Sequence, residues 1–291
     1  MAAIRELARA KINLDLHVLG RRPDGYHTVD TLIAFTAFGD TVDVAAAPDF
    51  TLSLAGPFAA GLPADDDNLV LKAARGLQAL AGVRAGAALT VAKNIPAAAG
   101  LGGGSADAGA TLRGLCRLWR IAPPAQDLQA LAASLGADVP ACLGSRPVRG
   151  TGIGTDVAPL TLPVGIGVVL VNPRVPLPTA TVFRGLRSPF GAAPSDLPPI
   201  PGNDDLIAAL TLRRNDLEAP AIAACPVIAA VLAGLRALPG CRLARMSGSG
   251  ASCFGLFADL LATDGAAARL AAAHSAWWVQ ATMLDSVSPA G

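Results

Sequence analysis

Histidine is scarce in this chain, which has only His17, His27 and His274. No H-E-x-x-H or Cys/His zinc cluster can be assembled from neighbouring residues. The five cysteines, Cys116, Cys142, Cys225, Cys241 and Cys253, include no C-x-x-C pair and lie in apolar surroundings. Reduced core thiols are expected. Blocks of like charge are also missing: 23 lysines and arginines face 22 aspartates and glutamates, for a formal net charge of +1. That excludes a nucleic-acid footprint and a polybasic membrane patch. No apolar run approaches the roughly 18–20 residues of a membrane span. The first ten residues carry Arg5, Glu6 and Arg9 in place of a signal-peptide core, so a cytoplasmic location is expected. Aromatic residues reach only 4%, with Tyr26 the single tyrosine.

What is present is 291 residues, 52% of them hydrophobic, with alanine supplying much of that share. The length exceeds a single domain of about 100–200 residues, so two compact units are expected. Lys11–Leu19 alternates strictly, Ile12, Leu14, Leu16 and Val18 against Lys11, Asn13, Asp15 and His17, the pattern of a half-buried strand. A turn through Gly20, Pro23, Asp24 and Gly25 follows. Further strands are expected at Thr41–Ala45, Thr51–Leu54 and Ala88–Ala92. Helical spacing marks Leu69–Leu80, Ala108–Trp119 and Leu128–Leu135. Arg146–Pro163 is punctuated by glycine and proline, and a domain junction is placed near it. Beyond lie Gly165–Val171 (strand), Pro226–Leu238 (helix, proline in its first turn), Leu243–Met246 and Cys253–Phe257 (strands), Asp264–His274 (helix) and Trp277–Met283 (strand). That βαββαβ order is ferredoxin-like. Asn172 to about Cys225 reads as a long insertion, of the kind that builds binding surface or is mobile.

The run "GLGGGSADA" from Gly100 lies immediately ahead of a helical pattern. Residues without a Cβ take positive φ and can aim successive N–H groups at one point, where an anion is the natural guest. Ser105 is expected as the N-cap, so that the helix dipole reinforces the site. A flexible connector without a ligand is the competing account. No lysine follows Gly104, which excludes a P-loop, and the placement does not suit a dinucleotide-binding turn.

The longer stretch "NIPAAAGLGGGSADA" resembles the central phosphate-binding motif of the GHMP kinases. "AKINLDLHVLGRRPDGYH" at Ala10–His27 and "LGADVP" at Leu135–Pro140 resemble the cytidine-recognising branch of that family, and "RMSGSGASCFGLF" at Arg245–Phe257 resembles its C-terminal motif. The resemblance spans nearly the whole chain in the family's order. It implies an α+β fold of two domains: an N-terminal unit like the second domain of ribosomal protein S5 over 1–160, and a ferredoxin-like unit over 161–291. It also implies an ATP-dependent kinase whose small-molecule substrate carries a cytidine diphosphate group, with magnesium accompanying the nucleotide. A monomer or weak homodimer is expected, with no nucleic acid or membrane as partner. The alternatives are a kinase of the homoserine or mevalonate type, or a non-catalytic ligand-binding relative.

By this resemblance Asp138 accepts the hydroxyl proton and Lys11 is its catalytic partner. Pro96, Ala97, Ala98, Ala99, Gly100, Leu101, Gly102, Gly103, Gly104, Ser105 and Ala106 wrap the ATP phosphates, while Asn68 and Lys93 border the adenosine. Asn13 binds the substrate's polyol, Tyr26 and Phe183 stack on the cytosine, and His27 meets the base's polar edge. Gly248, Ser249 and Gly250 help hold substrate phosphates. Taken without the resemblance, Lys11 and Asp138 read as a surface lysine and a turn aspartate, Asn13 as an ordinary strand residue, Phe183 as core, and Gly248–Gly250 as a hairpin turn. Asp65, Asp66 and Asp67 read as a solvated acidic turn, and no protein metal ligand is named.

Overall fold

The first half of the chain runs β1 (Ile4–Asn13), β2 (His17–Arg21), β3 (His27–Ala47), β4 (Thr51–Ala55), α1 (Leu69–Ala81), β5 (Gly86–Ala92), α2 (Gly103–Trp119), α3 (Ala125–Leu135) and α4 (Val139–Gly144). The second runs β6 (Val148–Thr151), β7 (Asp156–Pro159), β8 (Gly167–Asn172), α5 (Thr179–Arg184), α6 (Asn203–Thr211), α7 (Glu218–Ala224), α8 (Val227–Arg236), β9 (Cys241–Met246), β10 (Cys253–Phe257), α9 (Leu260–Ala273) and β11 (Trp278–Asp285). The computed structural model describes residues 3–258 and 260–285. These form two units: 3–10 with 39–97 and 102–145, and 11–38 with 98–101 and the remainder from 146. Among the described residues no helix is long and apolar enough to cross a membrane.

In the first unit, residues Thr41–Ala47 of β3 pair antiparallel with β5, and β4 pairs parallel to β5. Period-two alternation buries Val42, Val44, Leu89 and Val91. Helix α1 begins where the Asn68 side chain accepts from Val70 N at 2.9 Å and ends at Gly82, whose φ of 63° suits a left-handed cap. Helix α2 is lined with small residues for a reason. A Cβ on Gly114 would meet Val44 Cγ2 at 2.7 Å, and one on Gly109 would meet the Cys142 carbonyl carbon at 2.7 Å. Bare backbone at Gly109 therefore lets α4 close onto α2. Arg113 completes the joint, donating to Cys142 O at 2.9 Å and to Glu6 Oε2 at 3.0 Å.

In the second unit β8, α8, β9, β10, α9 and β11 follow the expected βαββαβ order, and the sheet runs β11-β8-β10-β9 with every pairing antiparallel. Every residue of β8 is buried. Val169 and Val171 share a core with Ile228, Val231, Leu232 and Leu235 of α8 and Leu270 of α9. Pro226 is the N-cap of α8 and not a first-turn residue.

Three expectations change. The expected Lys11–Leu19 strand is broken, with β1 ending at Asn13 and β2 beginning at His17, and it is not half-exposed, because Lys11, Asn13, Asp15 and His17 are as enclosed as the apolar residues between them. The segment expected as an aperiodic junction contains the β6–β7 hairpin, with Val148 opposite Pro159 and Gly150 opposite Val157. The insertion carries α5, α6 and α7, and Leu217, Ala221 and Cys225 pack into the second unit's core.

Gly109→Ala tests the α2–α4 joint. Helix propensity alone would favour alanine by about 1 kcal/mol. Overpacking against unyielding backbone costs about 1–3 kcal/mol, so the urea midpoint is expected to fall.

Candidate active site

Lys11 and Asn13 stand two residues apart on β1, on the same side of the strand. Each is at most 5% exposed, so each must be paired. Lys11 Nζ donates to Asn13 Oδ1 at 2.7 Å, and Asn13 Nδ2 donates to Thr31 Oγ1 at 2.9 Å. Thr31 Oγ1 in turn donates to Asp15 O at 2.6 Å. The polar face of β1 is thus a connected buried network, which fixes the Lys11 ammonium in direction.

The glycine run comes to the same place. Lys11 N donates to Leu101 O at 3.0 Å, and Ser252 N donates to Ala99 O at 3.2 Å. Ser247, which is fully buried, accepts from Asn13 N at 3.1 Å and donates to Gly100 O at 3.2 Å. A Cβ on Gly100 would fall 2.5 Å from Gly250 O, and one on Gly248 would fall 2.9 Å from Asn13 Oδ1. Segments around residues 11, 100 and 248 therefore meet in one unit, at separations that only glycine permits. Ser249 Oγ lies 2.9 Å from Thr179 Oγ1 of α5. Asn215 Nδ2 holds Met246 O and Gly248 O, both at 2.8 Å.

Along the run, positive φ alternates at Ala98 (51°), Gly100 (74°) and Gly102 (67°). Alternation of this kind turns successive N–H groups inward and forms an anion-binding concavity. Ala98 takes the left-handed conformation with its Cβ present, a strained choice. Pro96 is buried while Ala97 and Ala98 are exposed. Ser105 is not the cap of α2. Gly102 is, without a side-chain hydrogen bond, and Gly103, Gly104 and Ser105 form the first turn ahead of buried Ala106. The first-turn N–H groups have no capping side chain to satisfy them.

Lys93 is 4% exposed and bonded to two carboxylates, Asp40 Oδ2 and, at 2.5 Å, Asp107 Oδ2. Asp40 Oδ1 also accepts from Asn94 N at 2.5 Å and Ile95 N at 2.8 Å, which fixes the chain where it enters the run. Burial works against the Lys93 ammonium, but the charges of Asp107 and Asp40 outweigh it and hold its pKa above the usual lysine value. Burial pushes Asp107 up to about 7, against the pull of Lys93 and with Asp40 adding to the rise. Asp107 Oδ1 is buried and has no hydrogen-bond partner. Asn68 caps α1, and its Nδ2 donates to Pro63 O at 2.7 Å. Asp138 is half-buried at the N-cap of α4, ahead of the buried Val139 and Pro140.

At the β2–β3 tip, Gly25 at φ 89° closes a turn that leaves Tyr26 61% exposed. His27 lies with its ring centroid 5.0 Å from that of Phe183 on α5 and 5.8 Å from that of Phe190. Burial, with Arg21 adding to it, draws the His27 pKa below its usual value. Asp65, Asp66 and Asp67 are exposed, Asp66 pairing with Arg75 and Asp67 with Lys72. Among the described residues no group of three or more His, Cys, Asp or Glu side chains could hold a metal ion. Sequence reasoning missed Ser247, Asp40, Asp107 and Phe190. Only Ser247 carried a usable signal, as a small hydroxyl residue beside the glycines of the third motif.

Comparison with known proteins completes the description. Residues 68–146 match the GHMP kinases N terminal domain, and residues 202–280 match the GHMP kinases C terminal domain. The chain is 50% identical over 280 residues to a 4-diphosphocytidyl-2-C-methyl-D-erythritol kinase of Paramagnetospirillum magneticum, covering 96% of this chain and 98% of that one. It is 52% identical over 274 residues to the like-named kinase of Cereibacter sphaeroides, covering 94% and 96%. A crystal structure of 4-(cytidine 5'-diphospho)-2C-methyl-D-erythritol kinase is similar at a TM-score of 0.78 and 35% identity, over 97% of this chain and all of that one.

The buried acid gives a pH test. The unfolded chain releases the Asp107 proton near pH 4 and the folded chain near pH 7, so this group makes stability fall as pH rises between about those values. Asp107→Asn is expected to flatten that part of the profile, measured by urea unfolding. An unaltered slope would place the proton elsewhere.

Proposed function

The chain belongs to the GHMP kinase family, and from that premise we propose how its residues carry out the reaction. The reaction is the phosphorylation of 4-diphosphocytidyl-2-C-methyl-D-erythritol by ATP, a step of the non-mevalonate route to isoprenoid precursors. The fold is the α+β fold of that family. The observation that most supports the assignment of residues is the meeting of Lys11, Asn13, Gly100 and Gly248, which lie in three motifs far apart in the chain. In chain order we take 1–160 and 161–291 as the two domains, and the work is done in the cytoplasm.

Pro96–Ala106 holds the nucleotide's phosphates through main-chain N–H groups, aided by the positive end of α2 and by the Ser105 hydroxyl. The Lys93 ion pairs fix the approach to the run, and Asn68 orders the start of α1; both border the adenosine through the segments they hold. Tyr26 and Phe183 take the cytosine between aromatic faces. His27, neutral at pH 7, offers one donor and one acceptor to the base's polar edge. Asn13 and the Gly248–Gly250 turn hold the rest of the substrate.

An alcohol is a poor nucleophile at neutral pH. Asp138 takes the proton of the substrate's 2-hydroxyl as its oxygen bonds to the γ-phosphorus; the bond from that phosphorus to the bridging oxygen breaks and ADP leaves. Lys11, directed by Asn13 Oδ1, steadies the charge on the transferring group. Magnesium offsets triphosphate charge when it accompanies ATP.

Incubation with ATP, magnesium and a panel of alcohols, followed by mass spectrometry, tests the reading; phosphorylated product is expected from the diphosphocytidyl alcohol, and product from homoserine or mevalonate alone would overturn it. Asp138→Asn is expected to leave ATP affinity in place and lower kcat by about 10²–10⁴-fold. Tyr26→Ala should weaken the cytidine-bearing substrate by about 1–3 kcal/mol without weakening ATP. Equal losses for both ligands would move Tyr26 out of the base site.

A further inference from the structure

Between α5 and α6 the chain runs from 185 to 202 without a helix or strand, through Pro189, Pro194, Pro198, Pro199 and Pro201. Segments of that length and character are usually either functional or unstructured. This one is pinned to the second unit along its middle. Arg149 of β6 grips the buried Asp30, with Nη2 at 2.7 Å from Oδ2, and turns Nη1 to Asp196 Oδ1 at 2.9 Å. Arg213, held by the fully buried Asp15 at 2.7 Å, donates from its other terminal nitrogen to Ser195 O. Arg214, ion-paired with Asp216 at 2.5 Å, lies so close to the chain that a Cβ on Gly191 would run into its guanidinium. Asp216 is itself fixed, since it accepts from Val18 N at 2.8 Å.

What these anchors place is Phe190. Its ring is partly buried against the core that contains Val18, Val29 and Val182, and its centroid stands 5.8 Å from that of His27 with the two planes at 77°. Phe183 flanks the same imidazole at 5.0 Å and 33°. Two neighbours at such different angles restrain both the tilt and the rotation of a side chain whose outer torsion is otherwise broad. The restraint has a chemical consequence. In a neutral imidazole one nitrogen donates and the other accepts, and a half-turn of the ring puts a carbon where a nitrogen stood. The enclosure agrees with the lowered pKa of His27, which burial causes and Arg21 assists.

We propose that Phe190 is a positioning residue for recognition of the substrate's base: seated by the anchored strap, its ring holds the His27 imidazole in the orientation from which it meets the base. The inference rests on the assignment of His27 to the base's polar edge. Phe190 acts through His27 and touches no substrate in this account. Recognition groups work when their own rotamers are locked by packing, and here the lock is supplied by a segment outside the motifs that carry the binding residues. The buried carboxylates of Asp15 and Asp30 thereby gain a purpose beyond charge pairing, because each fixes an arginine that reaches out to the strap.

Proton NMR titration of the free full chain reads the contact without substrate, because the only other histidines are His17 and His274. In Phe190→Ala the His27 midpoint is expected to move up, toward the ordinary histidine value, as water reaches the ring. Steady-state kinetics then read its use. Phe190→Ala should raise KM for the diphosphocytidyl alcohol about 2- to 10-fold, the range of one aromatic pair, and leave KM for ATP in place. Phe190→Leu keeps apolar bulk without a ring, so it should melt like the parent and still show the rise. In a His27→Ala background, Phe190→Ala should add less than about twofold, since a residue that acts through another has nothing left to act on. An unmoved His27 midpoint, equal rises in KM for both substrates, or fully additive losses would each overturn the proposal. If His27→Ala weakens the alcohol and Phe190→Ala does not, the base-site reading stands and this inference alone falls; if neither does, both fall.

Discussion

One buried hydroxyl, that of Ser247, holds the candidate site together. It accepts from the backbone of residue 13 and donates to the backbone of residue 100, so a single oxygen joins three segments that are distant in the chain. A neutral hydrogen bond contributes about 1 kcal/mol net, but leaving two buried main-chain groups unpaired costs more, about 1–3 kcal/mol each. The asymmetry makes this arrangement specific. Removing that hydroxyl takes this partner from both Asn13 N and Gly100 O at once. The glycines supply the other half of the constraint, because Gly100 and Gly248 approach their neighbours more closely than a Cβ permits.

Buried charge serves the same end elsewhere in the chain. The Lys93 ammonium sits against two carboxylates in a place nearly closed to solvent, where unpaired ions are severely destabilising. Asp40 combines that ion pair with two main-chain N–H groups, which converts electrostatic attraction into a fixed path for residues 94 and 95. From the end of β1 the arrangement is a chain of hydrogen bonds without a carboxylate, ammonium to asparagine to threonine to carbonyl. Both networks position backbone or ammonium groups that would otherwise be free to wander.

The sequence made the local features legible and hid those that depend on distant partners. The ferredoxin-like order could be read because its valine-rich strands and alanine-rich helices have clean periods, and the helical spacing over Leu69–Leu80 falls within α1. The Lys11–Leu19 alternation was read as one half-exposed strand, whereas it joins the end of β1 to the start of β2 and is buried on its polar side too, because polar residues in a buried network look identical to polar residues facing water. Ser105 looked like a cap by residue type, yet left-handed Gly102 ends the loop three residues earlier. The helices of the insertion were hidden among prolines, and what stabilises α7 is burial of Ala221 and Cys225 in a core formed by far-off strands. Asp40 was invisible because nothing around it in the chain reveals that Lys93 will come to it.

The protonation of Asp107 bears on how an incoming triphosphate meets α2. This aspartate lies only five residues beyond Gly102, where an ionised carboxylate open to the run would compete with the guest for the helix's positive end. Burial raises that acid's pKa to about 7 and the Lys93 ammonium beside it offsets the charge it carries, so the fold weakens the competitor while keeping its hydrogen bond. The mouth of the helix is thereby left attractive to anions by a residue that, from its charge alone, would be expected to repel them.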